Sequence, residues 1–209
     1  MHRQKHTSQY KKLSNLLTLK LYTMKRLLLL SIVSLFAFHF SLSAQEIVGS
    51  TRTLESAQKQ HQEKLKQKGV MELKGSCKAQ NTRQGRQGVK DAAAKLYAEA
   101  CVSQMKSRAK ADKKAGYSES ELKEFDSFLA SYVVRLQGEI GDELVLSYMV
   151  RDKVKGGDEY RGFFTLDEET ASRVRMHALE QMPQESVEAK KCFLLASRYI
   201  SETVSVKTK

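Results

Sequence analysis

Three adjacent carboxylates, Asp167, Glu168 and Glu169, are the residues best suited to acid–base or metal chemistry. Neighbouring carboxylates can share a proton or a cation. They stand at the predicted start of a helix, however, where the helix dipole and the free amide groups stabilise negative charge. His177 follows Asp167 by ten residues, which places it about 15 Å away along a helix. The spacing therefore favours helix capping over catalysis.

The three cysteines, Cys77, Cys101 and Cys192, are the candidate nucleophiles and soft metal ligands. None of them forms a C-x-x-C pair, and no G-x-S-x-G motif is present. We therefore predict no catalytic residue, no metal and no other cofactor. Two states of the thiols are open: one disulfide with one free thiol in an oxidising compartment, or three small buried apolar residues. His61 stands in a polar segment, so we expect a solvated side chain.

Two surfaces are candidates for binding. Arg83 and Arg86 lie in a predicted glycine-containing loop, residues 81–88, directly before a helix. Free amides at a helix start could hold an anion there, such as a lipid headgroup or a polysaccharide, which would give a weak membrane-surface contact. The second candidate is the set Val145, Met149 and Phe163, which forms a surface for a protein partner or for self-association if the three share an exposed face.

The elements that position these residues are centred on residues 143–182. Alternating side chains predict two strands, at residues 144–151 and 160–166, around a glycine turn at residues 155–158. A helix follows at once, capped either by Thr165 with Glu168 or by Asp167 alone. These signals predict a β-hairpin that leads directly into a helix.

The rest of the domain, which spans residues 69–204, is predicted to contain one strand and several helices. A strand is predicted from Val70 to Cys77 and a helix from Val89 to Met105. A second helix starts at Ser118, with Glu121 in the capping-box position, and is expected to end at the glycines 138 and 141. The final helix is kinked at Pro183, or restarts with Pro183 in its first turn. The predicted fold is α+β, a small, mostly antiparallel sheet in the order strand-helix-helix-strand-strand-helix, with the long helices packed on one face.

The N-terminal residues have the pattern of an export signal. Basic residues at Lys25 and Arg26 precede an apolar run at residues 27–38, which small residues follow up to Ala44. This order predicts a signal peptide over residues 24–44, and the run is shorter than a membrane-spanning helix requires. Residues 1–23 are then an upstream extension or a long polar start of the signal. Residues 45–68 form a polar leader, either a solvated helix or a mobile tether.

Removing the signal changes the charge balance. Residues 1–44 contain seven of the 36 basic side chains and no acidic one, so 29 basic and 24 acidic side chains remain, a net charge of +5. That excess does not indicate nucleic-acid binding. No cysteine ends the apolar run, so no lipid attachment is predicted there, and the mature chain is expected to have no transmembrane helix.

Residues 160–180, YRGFFTLDEETASRVRMHALE, resemble the segment after the hairpin in bacterial envelope proteins related to the LPP-twenty lipoprotein family. The strand that contains Gly75, followed by the alanine-rich residues 91–100, is similar to the opening segment of that family. The resemblance covers about residues 70–204 and implies an exported envelope domain with no established enzymatic activity. The missing lipidated cysteine is a departure from the lipoprotein members.

Two functions remain open from the sequence. The first is a non-catalytic domain of the periplasm or cell envelope of a Gram-negative bacterium that binds a protein partner or itself. The second is an envelope hydrolase or thiol-dependent enzyme whose site is assembled from residues distant in sequence. Few histidines and no nucleophile motif favour the first.

Overall fold

A computed structural model describes residues 45–112, 116–154 and 156–200. The predicted upstream extension and signal peptide lie outside these residues. No helix within the described ranges is both long and apolar enough to cross a membrane.

In the described part of the chain, four antiparallel strands form one sheet, in which the spatial order of the strands, numbered along the chain, is first, third, fourth, second. They are β1 (Glu46–Ile47), β2 (Val70–Ala79), β3 (Val145–Val154) and β4 (Gly157–Asp167). The predicted hairpin of β3 and β4 is confirmed. Gly156 and Gly157 have φ of +97° and +135°, values that side chains disfavour and glycine allows.

Five helices lie in the described part of the chain: α1 (Leu54–Leu65), α2 (Thr82–Ala111), α3 (Glu119–Glu143), α4 (Glu168–Glu180) and α5 (Val187–Ile200). The four helices from α2 to α5 form the main core with one face of the sheet. The predicted α+β class is confirmed. Pro183 separates α4 from α5, and the new helix starts later than predicted because Ser186 Oγ accepts a 3.0 Å hydrogen bond from the Ala189 amide.

Local caps set several helix boundaries. Ser118 and Glu121 form the predicted capping box of α3. For α4, Asp167 is the cap, and its carboxylate accepts a 2.8 Å hydrogen bond from the Thr170 amide. The prediction of a loop at residues 81–88 is wrong, because Asn81 caps α2 and its side chain accepts from the Gln84 amide at 2.9 Å. The predicted end of α3 at Gly141-Asp142 is confirmed to within one residue, since the helix ends at Glu143, but Gly138 lies inside it.

Glycines let α2 approach the sheet closely. A Cβ at Gly75 of β2 would lie 1.9 Å from the Val89 carbonyl oxygen of α2, a position that only glycine can occupy. On the helix side, a Cβ at Gly85 would lie 2.5 Å from the nearest atom of the Tyr160 ring. The glycines that suggested a loop are therefore helix residues selected by contact with the sheet.

A β-bulge divides β3 into two registers. Leu146 and Tyr148 pair with consecutive residues of β4, so Ser147 is the extra residue. The bulge reverses the alternation beyond it. Met149 therefore joins Leu146 in the main core, while Tyr148 faces the opposite side of the sheet together with Phe163.

The segment predicted to be a polar leader belongs to the fold. β1 pairs with Arg151 and Val150 of β3, and α1 packs on the sheet face opposite the long helices. Ala57 and His61 of α1 are buried there. Of the two alternatives for this segment, the helix is the one that forms, but one side of it is buried because alternation along the hairpin leaves a second apolar face, on which α1 packs.

Candidate functional site

The most chemically suggestive group is the His61 cluster, formed by His61, Glu72, Lys74, Tyr148 and Phe163 beneath α1. His61 Nε2 lies 2.8 Å from Glu72 Oε1, and Lys74 Nζ lies 2.9 Å from the other carboxylate oxygen. The rings of Tyr148 and Phe163 stack at 4.4 Å, and the imidazole meets the Tyr148 ring edge-on at 5.5 Å. Partial burial alone would raise the pKa of Glu72, but hydrogen bonds from Lys74 and His61 hold it below its ordinary value.

An imidazole oriented by a carboxylate is an arrangement used in general acid–base catalysis, but the His61 imidazole is shielded from solvent. The His61 side chain is 1% exposed, and its Nδ1 atom has no hydrogen-bond partner. No nucleophile is therefore hydrogen-bonded to the imidazole, and no substrate can reach it while α1 is in place. The hydrogen bond between His61 and Glu72 therefore links α1 to β2. The expectation of a solvated His61 is wrong.

Replacing His61 with alanine is expected to loosen α1. The change removes a buried ring and one hydrogen bond, which together contribute about 2 kcal/mol. Hydrogen exchange should become faster in the amides of α1, while α2 and α3 keep their protection. Gln62→Ala, an exposed neighbour in the same helix turn, is the matched control. Unchanged exchange in α1 after His61→Ala would contradict this role.

A second buried polar group, the Arg175 cluster, joins three helices of the main core. Arg175 is 2% exposed, and its guanidinium donates to Glu168 Oε1 at 2.8 Å and to the Tyr97 hydroxyl at 2.5 Å. The Tyr132 hydroxyl donates to the Arg175 carbonyl oxygen at 2.9 Å. Burial raises the pKa of both tyrosines, which keeps their hydroxyl groups protonated. The cluster links α2, α3 and α4.

Cys101 lies beside this cluster, and burial raises the pKa of its thiol to about 11 from 9.0. In the unfolded chain the thiol ionises near pH 9, whereas in the folded chain it stays protonated until higher pH. The folded state then holds more protons, so stability falls as pH rises from about 9 to 11. The expected loss is about 2 kcal/mol. Urea unfolding across this window measures it, and Cys101→Ala should flatten the slope; an identical slope would contradict the assignment.

All three cysteines are free thiols. Burial raises the pKa of Cys77, with a further contribution from Asp91. Burial also raises the pKa of Cys192, helped by Glu124 and Glu188. The disulfide alternative is therefore not the state of this structure.

The predicted anion contact is not assembled into a pocket with other cationic groups. Arg83 and Arg86 are exposed on the first turns of α2 and border an open depression. Asn81 already occupies one of the helix-start amides. The anion contact stays a prediction. His177 is likewise on the surface, where its Nδ1 lies 2.8 Å from Glu139.

The three residues predicted to form a partner surface do not share an exposed face. Val145 is 54% exposed, Phe163 is half-buried beneath α1, and Met149 is fully buried in the main core on the other side of the sheet. The conditional surface prediction is wrong for Met149 because the bulge at Ser147 reverses the alternation.

Sequence reasoning missed the two buried polar clusters, although each left a periodic signal. Arg175 follows Ala171 by four residues and precedes Ala178 by three, which places it on the apolar stripe of α4. His61 stands four residues after Ala57 on the inward face of α1. A charged or polar residue within the apolar stripe of a helix indicates that it has a buried partner. The sequence does not identify that partner, because it belongs to a distant segment.

Comparison with known proteins adds no functional residue. No protein-family model matches the chain, and neither a curated protein nor a solved structure matches it. The resemblance to the LPP-twenty family therefore stays a prediction based on residue pattern. Among the described residues, no group of three or more His, Cys, Asp or Glu side chains converges as a metal ion would require.

Proposed function

We propose that the protein is an exported, non-catalytic domain of the periplasm or cell envelope of a Gram-negative bacterium that acts by binding a protein partner or a second copy of itself. One observation carries the non-catalytic part: the side chains best suited to chemistry are engaged in structural contacts, which are buried for His61 and Arg175. His61 ties α1 to the sheet, Arg175 joins helices, and the carboxylate of Asp167 caps α4.

The thiols also support this proposal over a thiol-dependent enzyme. A nucleophilic cysteine needs a lowered pKa and access to solvent, whereas Cys77, Cys101 and Cys192 all have raised pKa values. We expect a disulfide reagent at pH 8 to modify the folded protein at least about a hundredfold more slowly than the urea-unfolded chain. A thiol that reacts faster in the folded protein than in the unfolded chain would favour the enzyme.

Export is supported by the order of basic, apolar and small residues over residues 24–44 and by the position of β1, which begins at Glu46. Expression from Met24 in a Gram-negative host should yield a periplasmic or envelope-associated chain that begins at Gln45. Two charges in the apolar run, Leu29→Glu with Leu30→Glu, should retain the longer chain in the cytoplasm. A full-length chain in the cytoplasm without those changes would contradict export.

A further inference from the structure

Among the described residues, the outer edge of β2 is an open side of the sheet. β2 pairs with β4 along all ten of its residues, and no described strand lies on its other side. Alternate residues of a strand direct their N–H and C=O groups to opposite sides. The Val70 amide already donates to the Gln67 carbonyl oxygen, and no described strand pairs with the other backbone groups on this side. An added strand could pair with them, the mode called β-augmentation.

Helix α2 packs on one face of β2 and carries an exposed apolar side chain, Leu96. The helix crosses β2 at Gly75, where the backbone of Val89 and Ala93 meets the strand. Leu96 follows Ala93 by three residues and so lies on the sheet-facing side of the helix. Its side chain is nevertheless 53% exposed, and β2 is the last strand of the described sheet on that side. An added strand would give Leu96 the apolar neighbour that it lacks.

Two lysines and one glutamate stand on the other face of the edge, and Glu159 of β4 lies opposite Lys78 in the register. Glu72, Lys74, Ser76 and Lys78 alternate along it, and the Glu72 carboxylate is already bonded to His61 and Lys74. The Lys74 side chain is 48% exposed, and Lys78 is exposed without an ion-pair partner among the described residues. Lysines on an edge deter pairing with another copy of the same edge and favour a strand that carries carboxylates.

We propose that the outer edge of β2 binds an extended segment of a partner protein in which acidic side chains alternate with apolar ones. The acidic residues lie beside Lys74 and Lys78, and the apolar residues lie under Leu96. This inference rests on the proposed binding function and names the surface and the chemistry of its partner.

The probe is a fluorescein-labelled nine-residue peptide that alternates glutamate with valine, and its control alternates lysine with valine. Binding to residues 45–209 is followed by fluorescence anisotropy. The glutamate peptide should bind and the lysine peptide should not. Two further glutamate peptides carry N-methyl groups on alternate amides, in one register or the other. Methylation in one register should abolish binding and in the other should leave it unchanged, because a strand added to an edge uses amides on one side only.

Variants of the protein test the lysines. Lys74→Gln with Lys78→Gln should weaken binding of the glutamate peptide about fivefold. The matched control, Lys190→Gln with Lys191→Gln, removes the same charge from α5 and should leave binding unchanged. Circular dichroism verifies that both variants are folded.

Three outcomes would overturn the proposal. They are no binding of the glutamate peptide, equal effects of the two N-methyl registers, and a dimer in light scattering that the Lys74 and Lys78 changes alter. Failure here leaves the proposed non-catalytic function intact, because that function is tested separately by thiol reactivity and by export.

Discussion

Replacement of Gly75 by alanine is expected to destabilise the domain by about 3 kcal/mol, and by valine to prevent folding. The new Cβ would lie 1.9 Å from the Val89 carbonyl oxygen and 2.8 Å from the Ala93 amide nitrogen. Both are backbone atoms of α2, so no side-chain rotation relieves the overlap. The helix would have to move away from the sheet and lose contacts along the main core. Thermal and urea unfolding of the mature chain measure the effect.

Gly138→Ala is a control for which we expect the opposite change in stability. Gly138 lies inside α3, and nothing stands within 4 Å of the position its Cβ would take. Gly138→Ala should therefore stabilise the domain by up to about 1 kcal/mol, because alanine has the higher helix propensity. Equal stability of the Gly75→Ala protein and the unchanged protein would show that α2 does not approach the sheet as closely as described.

Replacement of Arg175 by methionine is expected to cost about 3 kcal/mol. The change leaves the partly buried carboxylate of Glu168 without its cation and the Tyr97 hydroxyl without its donor. Arg173→Met is the matched control, since that side chain lies on the same helix and is 69% exposed, and should change stability by less than about 0.5 kcal/mol.

A double variant separates the loss of the charge pair from the loss of packing. Arg175→Met combined with Glu168→Leu removes both charges, so it should recover a large part of the stability that Arg175→Met alone loses. Strictly additive losses in the double variant would show that Glu168 and Arg175 do not act as a pair.

Features that depend on neighbouring residues were predictable. The capping box of Ser118 and Glu121 and the cap at Asp167 need only groups within three residues of each other. The hairpin and the strand from Val70 follow from alternation and from glycine in the turn. Each of these signals is contained in one short segment, which is why the α+β class could be predicted.

Features that depend on contacts between distant segments were decided by the tertiary structure. The bulge at Ser147 shifts Met149 into the core without changing the alternating pattern that predicted otherwise. Position 85 of α2 is a glycine because the Tyr160 ring occupies the space that a Cβ would need.

Contacts between distant segments also decided the two buried polar clusters and the position of α1. The sequence by itself determined that residues 45–68 are a polar segment able to form a helix, and that Arg175 stands between the apolar positions of Ala171 and Ala178. Whether such residues face water or a partner depends on elements that follow or precede them at long range. The sheet supplied Glu72 for His61, and α2 supplied Tyr97 for Arg175. A buried polar side chain requires a partner from another element, and only the packed chain brings that partner within hydrogen-bond distance.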